Sequence, residues 1–262
     1  MKYFYDTEFL EGTQKKRWWN IIKQKPTIDL ISIGVVCEDG REYYAISKDF
    51  NLKEAWNRYD ILDQTPFEKY QGFKGRKSYW IRENVLKPIY YNWVGKDINF
   101  HEVGHFTFEN FKRLLKKYGK SNSQIAKELK HFIYEKEDVL YNKQELGFDS
   151  VGDVKSKIQL YGYYSAYDHV ALSWLFGKMI DLPKGFPMYT IDLKQTFDEK
   201  QESREKLEKM LLDSDLYEKN KNSRLIFPLS LKDCEDYPKQ TNEHNALSDA
   251  IFVKNLYHFL NT

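Results

Sequence analysis

Residues 1–9, MKYFYDTEF, set three aromatic residues, Tyr3, Phe4 and Tyr5, ahead of two acids, Asp6 and Glu8, and close on Phe9. An aromatic run of this length reads as a short β-strand. Side chains two apart on a strand leave from the same face, so Asp6 and Glu8 project together. Neighbouring carboxylates repel each other, and a divalent cation removes that repulsion while taking their oxygens as hard ligands. A solvated polar face on an edge strand has the same spacing, so the pair gains meaning only from the rest of the chain.

The rest of the chain sets bounds first. Its 262 residues, 41% hydrophobic, suffice for one α/β domain with insertions. Aromatic residues reach 16%, which supplies core volume and can also supply stacking surfaces for bases. The 41 basic and 39 acidic side chains leave a formal charge of +2, so a nucleic-acid surface would have to be a local basic patch. Two cysteines, Cys37 and Cys234, are too few for a structural zinc site or a disulfide framework. With no apolar run of membrane length and a strand where a signal peptide would begin, the expectation is a soluble, cytoplasmic protein with no membrane partner.

Residues 28–37, IDLISIGVVC, read as a central strand, and Asp39-Gly40 turns it into REYYAIS, a hairpin. Residues 51–62 carry Leu52, Ala55, Trp56 and Tyr59 at helical spacing. The pattern predicts further helices over YWIRENVL (79–86), with Trp80 or Arg82 pointing inward, and over SQIAKELKHFIYE (123–135). Residues 158–164 read as a strand, Asp168 opens a helix that ends near Gly177, and FPMYTIDL (186–193) is a strand leading into a charged helical arm at 198–222. Residues 139–157 read as an inserted loop, and NEHNALSDAIFVKNLYHFL (242–260) as an amphipathic helix. An acid such as Asp168 at a helix start can simply cap free N–H groups.

Two stretches mix basic and aromatic residues as a nucleic-acid surface would: 11–27, with Trp18 and Trp19 among five Lys and Arg, and 67–96. Both also fit packed aromatics beside solvated lysines. His101 and His105 are four apart but lack further ligands around them, and Gly104 disfavours a helix there.

Asp6 and Glu8 on the first strand, Asp168 after a middle strand, and His244 and Asp249 at the start of the last helix fall in an order that resembles the DEDDh branch of the DEDD 3′-to-5′ exonucleases. YDTEF, SAYDHVAL and HNALSDA stand as its three motifs, and the last is the most specific. Beyond them, IDLISIGVVCEDGREYYAIS, WIRENVL and AYDHVALSWLFG are similar to a family of compact bacterial exoribonucleases first described as domains of virulence factors. The similarity covers about half the chain, leaving 11–27, 51–76, 89–120, 139–157 and 198–238 as insertions in a single domain.

The resemblance implies an RNase H-like α/β fold: a mixed five-stranded sheet, its first three strands antiparallel, flanked by helices. It implies two Mg²⁺ or Mn²⁺ ions held by Asp6, Glu8, Asp168 and Asp249, with His244 as general base, and an RNA 3′ end as substrate against Thr7, Phe9, Trp80, Arg82 and Tyr167. A homodimer is common in such relatives. Neither the residues nor their spacing separates RNA from DNA or short oligonucleotides, and a silent nucleic-acid-binding module on the same scaffold is the reading from another class.

Overall fold

The computed structural model describes residues 1–13, 26–62, 67, 70–71, 75–94, 105–137, 158–212 and 230–262. Its opening stretch forms β1, Lys2–Thr13, followed by β2, Pro26–Cys37, and β3, Glu42–Ile46. A separate two-stranded ribbon joins β4, Asp60–Ile61, to β5, Lys77–Ser78. With β6, Gln159–Gly162, and β7, Ile191–Asp192, the main sheet has five strands in the order β3-β2-β1-β6-β7. Antiparallel pairs join β1 to β2 and β2 to β3, and parallel pairs join β1 to β6 and β6 to β7, so the sheet is mixed.

The first strand outruns its predicted end at Phe9. β2 begins at Pro26 and supplies partners as far as Thr13, across an irregularity between Glu8 and Phe9 where Ile31 is the extra residue. Between β2 and β3, Gly40 takes φ +92°, a backbone that side chains rarely adopt.

Helix α1, Leu52–Asn57, stops five residues short of its predicted end, because Arg58 is extended and the chain enters β4. A π-helical turn, Arg82–Leu86, leads into α2, Lys87–Val94. Then follow α3, Phe108–Tyr118, α4, Asn122–Glu137, α5, Ala166–Phe176, α6, Leu193–Leu212, and α7, Ala246–Asn261. Only Ile191 and Asp192 of FPMYTIDL are strand. Among the described residues no helix is long and apolar enough to cross a membrane. Trp18 and Trp19 with their basic neighbours, His101, the loop at 139–157 and the charged arm beyond Leu212 lie outside the described residues.

Alternation along β1 distributes the core. Tyr3 and Tyr5 face Ile125, Leu129 and Ile133 of α4 and Ala171 and Leu172 of α5. The opposite face carries two separate clusters. Phe4 packs with Leu193 of α6 and Phe252, Val253 and Leu256 of α7. Leu10 packs with Ile31, Ile46, Leu86, Phe111 and Leu114. Burial stabilises each such side chain by roughly 1.5–3 kcal/mol. Asp6 and Glu8 stand between Phe4 and Leu10 in the same row, so two carboxylates interrupt an apolar face.

Gly34 decides how near α7 comes to them. It pairs across the sheet with Asp6, and a Cβ on it would lie 2.3 Å from the Ala246 carbonyl and the Leu247 nitrogen. Only glycine lets the first turn of α7 rest on β2 there. Gly34→Ala is therefore expected to cost about 1–3 kcal/mol of stability, read as a lower urea midpoint. A midpoint equal to the parent's would show that the helix sits there without need of the missing side chain.

Candidate metal centre

The site exists because β6 is short. It pairs with β1 only from Lys2 to Phe4, and beyond that point the edge of β1 is open. Asp168 fills the gap: its Oδ1 accepts the Thr7 backbone N–H at 2.9 Å and the Thr7 hydroxyl at 2.6 Å. The chain reaches Asp168 through Tyr164, at φ +56°, and Ser165, whose backbone N–H groups donate to the Asp192 carboxylate at 3.0 and 3.1 Å. That anchoring on β7 aims α5 at the strand ends, where ligands of open α/β sheets collect. The helix opens at Ala166, so Asp168 lies inside its first turn and uses its carboxylate on Thr7 instead of opening the helix as predicted.

From the other side comes α7. Asn245 caps it, accepting the Ser248 N–H at 3.1 Å, and Asp249 follows in the first turn. Asp6, Glu8 and Asp249 each offer a carboxylate oxygen, all within 4.8 Å of one another. Asp168 stands beside this group, close enough for its charge to act on Asp6 and Glu8. Gln240 donates to Asp249 Oδ1 at 2.6 Å. His244 sits just before the helix at φ +65°, a backbone that non-glycine residues adopt only when their surroundings hold them there. Its ring meets Trp80 edge-on, centroids 4.8 Å apart.

Burial pushes all four acids toward their protonated forms, and repulsion from the neighbouring acids adds to it at Asp6 and Glu8. Loss of water, reinforced by Asp168, Glu8 and Asp249, holds Asp6 well above the usual carboxylate range. Burial raises Glu8 to about 8, with Asp249 and Asp168 adding to it. Asp168 is raised to about 6 by burial, against the two Thr7 hydrogen bonds that favour its ionised form. Asp249 is raised by burial, against Gln240 and His244. Below Glu8, the hydroxyls of Ser32 and Tyr44 are buried without a well-formed hydrogen bond. This donor set suits a divalent cation: hard oxygens, gathered and dehydrated, that ionise together only when positive charge is supplied.

A pH dependence follows. In the fold these carboxyl groups hold protons that the unfolded chain has already released, so the metal-free protein loses stability as pH rises from the unfolded carboxyl range through about 8, where Glu8 titrates. Added Mg²⁺ or Mn²⁺ is expected to raise the melting temperature more at about pH 8 than at about pH 5. Equal shifts at both pH values, followed by differential scanning fluorimetry, would show that the cation does not meet these acids.

The residues expected against a substrate are spread around this centre. Phe9 meets Tyr167 edge-on at 5.7 Å, and Tyr167 is 47% exposed. Trp80, one of the two residues expected to point inward, is 45% exposed and turned to His244; the other, Arg82, is partly buried, and Val85 and Leu86 take the fully buried side of the π-helical turn. The Arg82 guanidinium lies 3.9 Å over the Tyr79 ring and pairs with Glu83 at 3.0 Å. Thr7 is buried and its hydroxyl is engaged by Asp168. His105 is exposed, with no metal-ligand group around it among the described residues. Sequence reasoning missed Gln240 and Asp192. The first lies in irregular chain with no periodicity to mark it, and the second ends a two-residue strand.

Fold and site together define an α/β protein whose sheet end gathers acids into a candidate centre for divalent cations. No protein-family model matches the chain. Over 204 residues it is 31% identical to the 3′-5′ exoribonuclease Rv2179c of Mycobacterium tuberculosis strain ATCC 25618 / H37Rv, covering 76% of each chain. The same values hold for the 3′-5′ exoribonuclease MT2234.1 of strain CDC 1551 / Oshkosh. The chain belongs to this family of 3′-5′ exoribonucleases.

Proposed function

We propose that the protein is a metal-dependent 3′-5′ exoribonuclease of the DEDDh type on an RNase H-like scaffold, releasing nucleoside 5′-monophosphates from an RNA 3′ end. The observation that carries this reading is the meeting of Asp6, Glu8 and Asp249 within 4.8 Å, with Asp168 and His244 beside them. The activity named for the mycobacterial relatives supports RNA as the substrate.

Asp6, Glu8, Asp168 and Asp249 would hold two Mg²⁺ or Mn²⁺ ions. When bound, such cations supply the positive charge that lets a water lose a proton near neutral pH and that stabilises the departing 3′ oxygen. His244 takes the proton from the attacking water. Its imidazole makes no hydrogen bond among the described residues and is turned toward Asp249 and Trp80. Attack at phosphorus breaks the bond to the 3′ oxygen of the preceding nucleotide, leaving a shortened strand with a 3′-hydroxyl and a free 5′-monophosphate. Thr7 steadies Asp168, and Gln240 steadies Asp249, in the manner of groups that orient metal ligands from behind. Phe9, Tyr167 and Trp80 offer rings for the terminal nucleotide.

A time course on 5′-labelled RNA and DNA, with Mn²⁺ and with chelator, tests the assignment. A ladder that shortens RNA from its unlabelled end, absent with chelator, is expected. Binding without cleavage would make the chain a silent nucleic-acid-binding module, and equal shortening of DNA would remove the sugar preference.

A further inference from the structure

We infer that the β4–β5 ribbon, with Tyr59 and Tyr79 at its base, is a track for the single strand upstream of the nucleotide being removed, so that the substrate is an oligonucleotide several residues long. The inference rests on the exonuclease reading and adds the substrate's length and the surface that measures it.

The ribbon adjoins the candidate site. Trp80, whose ring touches His244, follows β5 by two residues. Adjacent Tyr79 packs against Tyr59 with ring centroids 5.8 Å apart, and Tyr59 leads directly into β4. An aromatic path therefore runs from the candidate base to the ribbon.

Cations are laid along that path. Lys77 Nζ lies 4.0 Å over the Tyr59 ring, and the Arg82 guanidinium 3.9 Å over Tyr79. A cation resting on an aromatic face is held in place without an acid to neutralise it. Arg82 also pairs with Glu83, whereas Lys77 makes no ion pair among the described residues. From Gly75 to Arg82 the chain carries Arg76, Lys77 and Arg82 and no acid, and on the paired ribbon residues Asp60 is the one negative charge. Across from Lys77, Ile61 is 66% exposed, an apolar side chain left in water beside a cation. Fixed positive charges for phosphates, alternating with aromatic and apolar surface for bases, make up a single-strand platform. A double helix, with its bases turned inward, could use only the charges.

The test compares the parent with Lys77→Glu and, separately, Tyr59→Ser, both changes at exposed positions. Fluorescence anisotropy measures binding of a labelled RNA of about twelve nucleotides at several salt concentrations. Cleavage of the same RNA is compared with that of a dinucleotide, too short to reach the ribbon. Lys77→Glu is expected to weaken oligonucleotide binding about tenfold or more and to make the salt dependence shallower by about 0.7 in logarithmic slope. The ratio of kcat/KM for long over short substrate should fall in step, and Tyr59→Ser should lower it with little change of salt slope. Affinity within about twofold of the parent in both variants, or equal loss on both substrates, would overturn the track. If the parent cleaves neither substrate, it is the exonuclease reading that fails, and the anisotropy still decides the ribbon.

Discussion

Asp6→Asn is expected to abolish metal-dependent cleavage, lowering turnover by at least about a thousandfold, or some 4 kcal/mol of transition-state stabilisation. The side chain keeps its shape and loses the charge that a cation would bind. Its second effect runs the other way. Asp6 stands between Glu8, Asp249 and Asp168, each of which disfavours its ionisation, so a neutral amide relieves repulsion in the metal-free protein. The variant should melt higher than the parent near pH 8 without metal and gain little when Mn²⁺ is added. An inactive variant that is also destabilised, with a normal Mn²⁺ response, would mean that Asp6 is structural.

Removal of the His244 imidazole should lower turnover by about 10²–10⁴-fold, the usual range for loss of a positioned acid or base, while Mn²⁺ binding persists. Backbone geometry shapes the choice of variant. At φ +65° an alanine costs about 1–2 kcal/mol, whereas asparagine tolerates that conformation. His244→Asn is therefore the cleaner test, with His244→Ala beside it. Near-parental turnover in His244→Asn would remove the residue from the base role.

Which acids to look for was easier to read in the chain than how they come together. Asp6 and Glu8 stood out because strand alternation puts them on one face, and His244 with Asp249 because HNALSDA, at the start of the last helix, resembles a DEDDh motif. The means by which the acids meet was hidden. Thr7 can donate to Asp168 only because β6 stops and frees the edge of β1, and a strand's length relative to its neighbour is a tertiary property. The approach of α7 depends on Gly34, which in sequence is one small residue in an apolar strand. Pairing with Lys77 and Ser78 ended the helix predicted through Leu62, a contact made fifteen or more residues away. The helical pattern at 79–86 points Trp80 or Arg82 inward, whereas the turn over 82–86 is π-helical and its buried residues are Val85 and Leu86. Gln240 acts through one hydrogen bond from irregular chain, and Asp192 through several backbone N–H groups at the end of a two-residue strand, where no period exists to be read.

Calorimetric titration of the metal-free protein with Mn²⁺ near pH 8, repeated on Asp249→Asn, bears most directly on the claim that distant acids form one cation-binding centre. Saturable binding of two ions by the parent, with at least one lost or weakened about tenfold or more in the variant, is the predicted result. No saturable binding by the parent, or identical isotherms for the two proteins, would contradict it.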